Sequence, residues 1–167
     1  MKPVRLGFIG LGYITVRAHL PALKPLAEAG EVVLQAFCDV NEETAREQAD
    51  SFGGPAVYRN HHDMLAREEL DAVYICLPPT LHTDEITTAV AAGVHVFVEK
   101  PQSLDIGQAA EFARAIEQAG VVSQVGFMSR YYPSAEFTRQ LLADKTPRHA
   151  QLPLFYSGSH IRYWTSR

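Results

Sequence analysis

A doubly wound α/β fold, a parallel sheet covered by helices on both faces, is what this sequence predicts, and three observations carry the expectation. Short, nearly all-apolar runs recur along the chain, as strands buried on both faces require. A helix-length stretch follows almost every one of them, which is the alternation of a parallel sheet with right-handed crossovers. Gly, Pro, Asn and Asp stand at the junctions, where turns and caps need them.

Val4 to Ile9 is the first apolar run and ends at Gly10. Ile14, Ala18, Leu20, Leu23 and Leu26 then keep helical spacing to about Ala29. Pro21 and Pro25 interrupt the donors of that stretch and predict a kink or a break. Gly30 closes it. Val32 to Cys38 is a second strand ending at Asp39, and Asn41 caps a helix with Glu42 and Glu43 in its first turn that runs to about Phe52. Gly53-Gly54-Pro55 breaks the chain before a short strand, Ala56 to Tyr58, and Asn60 caps a brief helix through Leu65 and Ala66. Ala72 to Leu77 is the next strand. Pro78-Pro79 stops it, Thr80 is read as the cap of a helix to Ala92, Gly93 ends that helix, and Val94 to Val98 is a further strand. Ser103 and Asp105 open a helix over Ile106 to Ala119, Gly120 ends it, Val121 to Val125 is a strand, and a last helix covers Ser134 to Leu142. From Lys145 the pattern changes to Thr, Pro, Arg and aromatic residues, with Leu152 to Ser157 a candidate strand.

With 167 residues, 47% of them hydrophobic, the chain holds one good core. The expected division is a dinucleotide-binding domain over 1–130 and a short irregular or β extension over 131–167, the remnant or start of a second domain. A formal charge of -4 argues against a broad phosphate-binding face and hence against nucleic acid. No apolar run nears the roughly 18 residues of a membrane span, and Met1-Lys2-Pro3 leads into a strand without a signal-peptide core; a cytoplasmic protein is expected. Cys38 and Cys76 lie inside apolar strands with no metal or redox spacing and read as reduced core thiols.

The turn after the first strand is Gly10-Leu11-Gly12-Tyr13-Ile14-Thr15, a G-x-G-x-x-T sequence. The first glycine permits a tight turn and the second lets the backbone approach a pyrophosphate, while the helix start attracts its charge. Thr15 stands where close helix packing usually wants Gly or Ala, so the helix is expected slightly further off the sheet. The motif is weak alone; its place between strand and helix, with Asp39 ending the next strand, supplies the confirming context of a Rossmann NAD(P)-binding fold. Asp39 is placed to accept hydrogen bonds from ribose hydroxyls and to repel a 2′-phosphate, so NAD is favoured over NADP. Its alternative role is a helix cap, and Arg46 is near enough in sequence to soften the discrimination.

Leu77-Pro78-Pro79-Thr80-Leu81-His82 and Glu99-Lys100-Pro101 both follow strand C-termini, the edge where ligands bind in open α/β sheets. Lys100 can present an ammonium to orient a hydroxyl or move a proton; the alternative is a solvated loop charge. His61, His62 and Asp63 are discounted as a metal site, because adjacent helical residues point about 100° apart, and no metal is expected. His19 and His95 read as packing or groove residues, and Tyr131, Tyr132, Tyr156, Tyr163 and Trp164 as core or interface.

Gly10-Leu11-Gly12 with His19, the Pro78-Pro79-Thr80-Leu81-His82 turn, and Ala92-Gly93-Val94-His95-Val96 leading into Glu99-Lys100-Pro101 together resemble the Gfo/Idh/MocA family of sugar, inositol and related dehydrogenases over residues 4 to 133. The resemblance implies that Lys100 is the active-site lysine, that a cis peptide precedes Pro101, and that Pro79, Thr80 and His82 line the cofactor groove. It places Tyr13, Ile14, Leu77, Pro78, Glu99 and Pro101 with Gly10, Gly12 and Asp39 around the dinucleotide, and Arg130 near the mouth of the site. The implied activity is hydride transfer between nicotinamide and a sugar, polyol or similar small-molecule substrate. Members continue into a second α/β domain that residues after Lys145 cannot build, which leaves a non-catalytic NAD(H)-binding module or a degenerate fragment as alternatives. An uncovered apolar surface predicts a homo-oligomer with the segment after Lys145 at the contact.

Overall fold

In the computed structural model, which describes residues 2–149 and 151, the strands are β1 (Val4–Ile9), β2 (Val32–Cys38), β3 (Ala56–Tyr58), β4 (Ala72–Ile75), β5 (His95–Val98) and β6 (Ser123–Val125). Every pairing among them is parallel, in the order β3-β2-β1-β4-β5-β6. The chain begins in the middle, winds out to β3, and returns past β1 to build the other half. Strand order therefore reverses between β1 and β4.

The helices are α1 (Leu20–Glu28), α2 (Glu42–Ser51), α3 (His61–Arg67), α4 (Glu85–Ala91), α5 (Ile106–Ala119) and α6 (Pro133–Leu141). Leu20, Leu23 and Ala49 from α1 and α2 cover one face of the sheet with Leu6, Phe8 and Phe37. Met64, Leu65, Ile86, Ala89, Val90 and Phe112 from α3, α4 and α5 cover the other with Ile9, Val73, Ile75, Val96 and Val98. Doubly wound α/β is the observed architecture. A first unit ends at Phe127 and a second starts at Met128 with a 3-10 turn, Met128–Tyr131, followed by α6. The expected strand over Leu152 to Ser157, and Tyr156, Tyr163 and Trp164, lie outside the described residues. Among those described, no helix is long and apolar enough to cross a membrane.

One rung of the first face is entirely aromatic. Phe37, Phe8, Tyr74 and Phe97 are register partners across β2, β1, β4 and β5. Phe8 meets Phe37 edge-on at 5.6 Å, while Phe8 and Tyr74 stack at 4.8 Å and Tyr74 and Phe97 at 4.7 Å. Such pairs add about 0.5–1.5 kcal/mol each beyond the area they bury.

The expected caps form. Asn41 accepts from the Thr44 amide, Asn60 from His62 and Asp105 from Gln108, and Gly120 ends α5 at φ 65°. Two helix starts differ from expectation. Thr15–His19 is a π-helical turn in which the Leu20 amide reaches the Thr15 carbonyl five residues back. The Thr15 hydroxyl donates to the Gly10 carbonyl at 2.7 Å, which fastens this widened turn to the glycine loop. Pro21 then falls in the first turn of α1, where its missing amide costs nothing. Thr80 does not cap α4; that helix begins at Glu85, because residues 78–84 are held in a turn closed by the Leu81 amide on Pro78 and by side-chain bonds of Glu85.

Gly10 sits at φ 91°, and a Cβ there would lie 2.5 Å from the Cys76 carbonyl oxygen, a backbone atom. Left-handed backbone costs a residue with a Cβ about 1–2 kcal/mol, and overpacking adds to it. Gly10→Ala is expected to lose at least about 2 kcal/mol of stability, read as a lower midpoint in urea unfolding; an unchanged midpoint would contradict the close approach of the loop to β4.

Candidate functional site

Register aligns the site. Cys38, Ile9, Ile75, Val98 and Val125 form one row across five strands. The next residue of each strand is Asp39, Gly10, Cys76, Glu99 and Gly126, and the ladder carries on into them: Gly10 donates to Cys38, Cys76 to Ile9, Glu99 to Ile75 and Gly126 to Val98, at 2.8–2.9 Å. Residues up to 116 positions apart in sequence are thereby set along one C-terminal edge, at the reversal of strand order.

The glycine loop is shaped for a close ligand. A Cβ on Gly12 would meet nothing within 4 Å, so the glycine answers no packing need of the protein itself, and its exposed backbone leaves the approach open that a pyrophosphate requires. Asp39 accepts the Leu11 amide at 2.8 Å and the Asn41 amide at 2.9 Å, one on each oxygen. An ionised carboxylate has about four acceptor positions, so about two remain for ribose hydroxyls. Its alternative reading, the cap of α2, falls to Asn41 instead. Arg46 is held by Glu42 one turn earlier in the same helix. Gly10, Gly12 and Asp39 thus fit a dinucleotide. Tyr13 is exposed and Ile14 half-buried beside them.

Glu99, like Asp39, has both carboxylate oxygens engaged. Its Oε1 lies 2.9 Å from His19 Nε2 and its Oε2 accepts the Lys100 amide at 3.0 Å. A Cβ on Gly126 would come within 3.1 Å of Glu99 Oε1 and of the Phe97 ring, so any larger residue there would press on the carboxylate. Burial pushes the Glu99 carboxyl up, but the bonds from His19 and from the Lys100 amide outweigh it and hold the group below its ordinary value. His19, in turn, lies against Tyr74 and Phe97 at 5.3 and 5.2 Å, on the aromatic rung. Lys100 is half-buried and the Lys100-Pro101 peptide is cis.

Pro78 and Thr80 are exposed and Leu77 and Pro79 half-buried in the turn after β4. The His82 side chain is fully buried instead of facing an open groove. Its Nδ1 bonds Glu85 and its Nε2 has no hydrogen-bond partner. Glu85, also fully buried, accepts the Thr83 amide at 2.8 Å. Burial pushes the Glu85 carboxyl up; His82 and the Thr83 amide more than reverse this, leaving it below its ordinary value. Arg130 lies in the second unit, exposed, on the 3-10 turn. Cys38 and Cys76 are buried free thiols, each pushed up to about 12 by burial.

Sequence reasoning did not find the His19–Glu99 pair or the His82–Glu85 pair, since each joins residues read separately. It also rejected His61 and His62 by the angle between neighbouring helical side chains. Asp63 does stand apart, 3.8 Å from Arg67. But that angle describes Cβ directions, and both rings swing to one neighbour from another helix: His61 Nε2 is 3.0 Å and His62 Nε2 3.3 Å from the two oxygens of Asp84.

Comparison with known proteins identifies what the edge resembles. The family described as Oxidoreductase family, NAD-binding Rossmann fold (GFO_IDH_MocA) matches residues 4–127. A D-xylose 1-dehydrogenase (NADP(+)) of Haloferax volcanii is 34% identical over 139 residues, 83% of this chain and 42% of that protein. Scyllo-inositol dehydrogenase of Lactobacillus casei, solved with NAD(H) and scyllo-inositol, superimposes with a TM-score of 0.75 at 30% identity over 86% of this chain and 42% of that one. A variant of a 3-ketoreductase from Actinomadura kijaniata, solved with TDP-benzene and NADP, gives 0.74 at 30% identity over 85% and 44%. The chain spans about two-fifths of the length of these relatives.

Replacing His82 by Ala would leave the Glu85 carboxylate buried with its main partner gone, which costs about 3–5 kcal/mol for pairs of this kind. Because Glu85 titrates below its ordinary value of about 4.3 in the folded protein, its contribution is present at neutral pH and lost as pH falls through the folded value. The variant relieves its own penalty by protonating Glu85, so the stability gap between the two proteins is expected to narrow toward acid pH. Urea unfolding at pH 7 and pH 4 measures it; a gap that stays constant would contradict the assignment.

Proposed function

This chain belongs to the Gfo/Idh/MocA oxidoreductase family, and we propose that it is the NAD-binding half of a dehydrogenase acting on a sugar, polyol or related hydroxyl or carbonyl compound. The observation that carries the reading is the alignment of Gly10, Asp39 and Glu99 on one edge, with open space over Gly12 beside them.

Gly10 and Gly12 would bring backbone amides to the pyrophosphate, and Asp39 would take the adenine-ribose hydroxyls through its remaining acceptor positions. Its negative charge opposes a 2′-phosphate, and Arg46 is engaged with Glu42, which supports NAD over NADP. Leu77, Pro78, Pro79 and Thr80 form the wall after β4. When bound, the nicotinamide supplies the hydride exchange, and the protein supplies position and electrostatics. Glu99 holds the backbone amide of Lys100, and the Lys100 ammonium would orient the reacting hydroxyl and hold its proton at Nζ. Phe127, Met128, Tyr131, Phe137 and Leu141 are each more than half exposed, which supports self-association; sedimentation equilibrium at micromolar concentration should show a dimer or larger, and a monomer would remove this part of the reading.

Calorimetric titration of the 167-residue chain with NAD and with NADP is the first test. NAD is expected to bind and NADP to bind more weakly, with Asp39→Ala weakening NAD. Gly12→Ala separates folding from binding: with open space for its methyl group it should keep its stability within about 0.5 kcal/mol while losing NAD. Failure of both dinucleotides to bind would overturn the proposal. With cofactor bound, turnover of a polyol and sugar panel is expected to fall at least about 100-fold in Lys100→Ala; binding without any turnover in the parent chain would leave a cofactor-binding module and sink the dehydrogenase reading.

A further inference from the structure

The starts of α3 and α4, which follow β3 and β4, meet through three side chains that the cofactor reading does not use. His61 and His62 open α3 directly after the Asn60 cap, and Asp84 precedes α4. His61 Nε2 lies 3.0 Å from Asp84 Oδ1, and His62 Nε2 lies 3.3 Å from Asp84 Oδ2. The two imidazole rings lie 4.2 Å apart at 33°. One ligand atom from each of the three residues lies within 4.8 Å of the other two.

Asp84 stands at an N-cap position, where an aspartate usually accepts an amide of its own helix. Here its side chain makes no such bond and is turned to the imidazoles instead. Thr83 Oγ1 lies 3.4 Å from Asp84 Oδ1, the oxygen that His61 also approaches. A carboxylate that forgoes its cap to serve two ring nitrogens is oriented as a ligand.

From this convergence we infer that His61, His62 and Asp84 form a surface site for a divalent transition-metal ion of the zinc class. Metal–nitrogen and metal–oxygen bonds of about 2.0–2.2 Å, at angles between octahedral and tetrahedral, place neighbouring donors about 2.8–3.6 Å apart. The two nitrogen–oxygen separations at Asp84, one to each carboxylate oxygen, have these lengths already, and with all three donor atoms within 4.8 Å of one another side-chain rotation closes the set. Two imidazoles and one carboxylate suit zinc, cobalt, nickel or copper; magnesium and calcium prefer sets made of oxygen alone. Half of the His62 and Asp84 side chains is open to water, so water completes the coordination. Asp84 is the one member of the three that brings a full negative charge to a cation, and it is therefore the indispensable one. Bound metal would clamp α3 to α4, and the protein would be stabilised by mass action as the free ion rises above its dissociation constant.

The test is calorimetric titration of the untagged, chelator-stripped 167-residue chain with zinc chloride, and with magnesium chloride as control. One equivalent of zinc is expected to bind, with no heat from magnesium, and the thermal midpoint should rise with zinc. His62→Gln and Asp84→Asn, both at half-exposed positions, should weaken zinc at least tenfold, since even outer-shell partners of a metal cost about 10–100-fold when removed; Asp84→Asn should lose the most. Circular dichroism checks that the variants are folded, and a third substitution, His61→Gln, stands in should one of them not be. Zinc binding that is unchanged in the folded variants would place the ion on other histidines and overturn the assignment, as would the absence of binding by the parent chain at about 100 μM zinc. Neither result bears on the cofactor site, which is tested with dinucleotide alone.

Discussion

The aromatic rung across β2, β1, β4 and β5 is the interaction on which the remainder is built. Phe37, Phe8, Tyr74 and Phe97 come from strands that begin 23 to 91 residues apart and interlock only in one register. A slip of one residue in any strand would turn its ring to the opposite face, where the strand residues of the core include Ile9, Ile75, Val73, Val96 and Val98. Because Asp39, Gly10, Cys76 and Glu99 follow two residues after the four aromatics or their partner in the rung, the register that stacks the rings also levels the polar edge. Packing one rung below the surface thus determines geometry at the surface.

The same rung explains why the first helix starts as it does. His19 rests on Tyr74 and Phe97 and reaches Glu99, while Thr15 is tied to Gly10. The π turn between Thr15 and His19 spans these two anchors, and its extra residue per turn brings His19 to the carboxylate before α1 begins at Leu20. Glu99 is consequently held by a side chain from before α1, the amide of Lys100 and the close approach of Gly126. The candidate lysine is attached to a segment of backbone with little freedom of its own.

What the sequence made legible were features whose cause is local. Asn41, Asn60 and Asp105 cap the helices they precede, Gly10 takes the positive φ of the tight turn, and Asp39 stands at the end of β2 beside that turn, because each depends on a few neighbouring residues. Illegible were the features that depend on register. Tyr74 and Phe97 read only as apolar strand residues until the strands are paired. His82 read as a groove residue, but a carboxylate one helical turn later, Glu85, draws it inward and delays the start of α4. His61 and His62 read as solvated because their third partner, Asp84, follows 22 and 23 residues later, at the start of another helix.

The two cysteines extend this ordering into chemical reactivity. Cys38 ends β2 and Cys76 follows β4, on the strands that flank β1, and burial raises both thiols to about 12. Only the thiolate attacks an electrophile or a disulfide, and at neutral pH almost none forms while the sheet is closed. Alkylating reagents therefore meet an inert protein until the central strands part, so the chain carries its own clock for the opening of its core, built from two sulfur atoms that the folded state keeps silent.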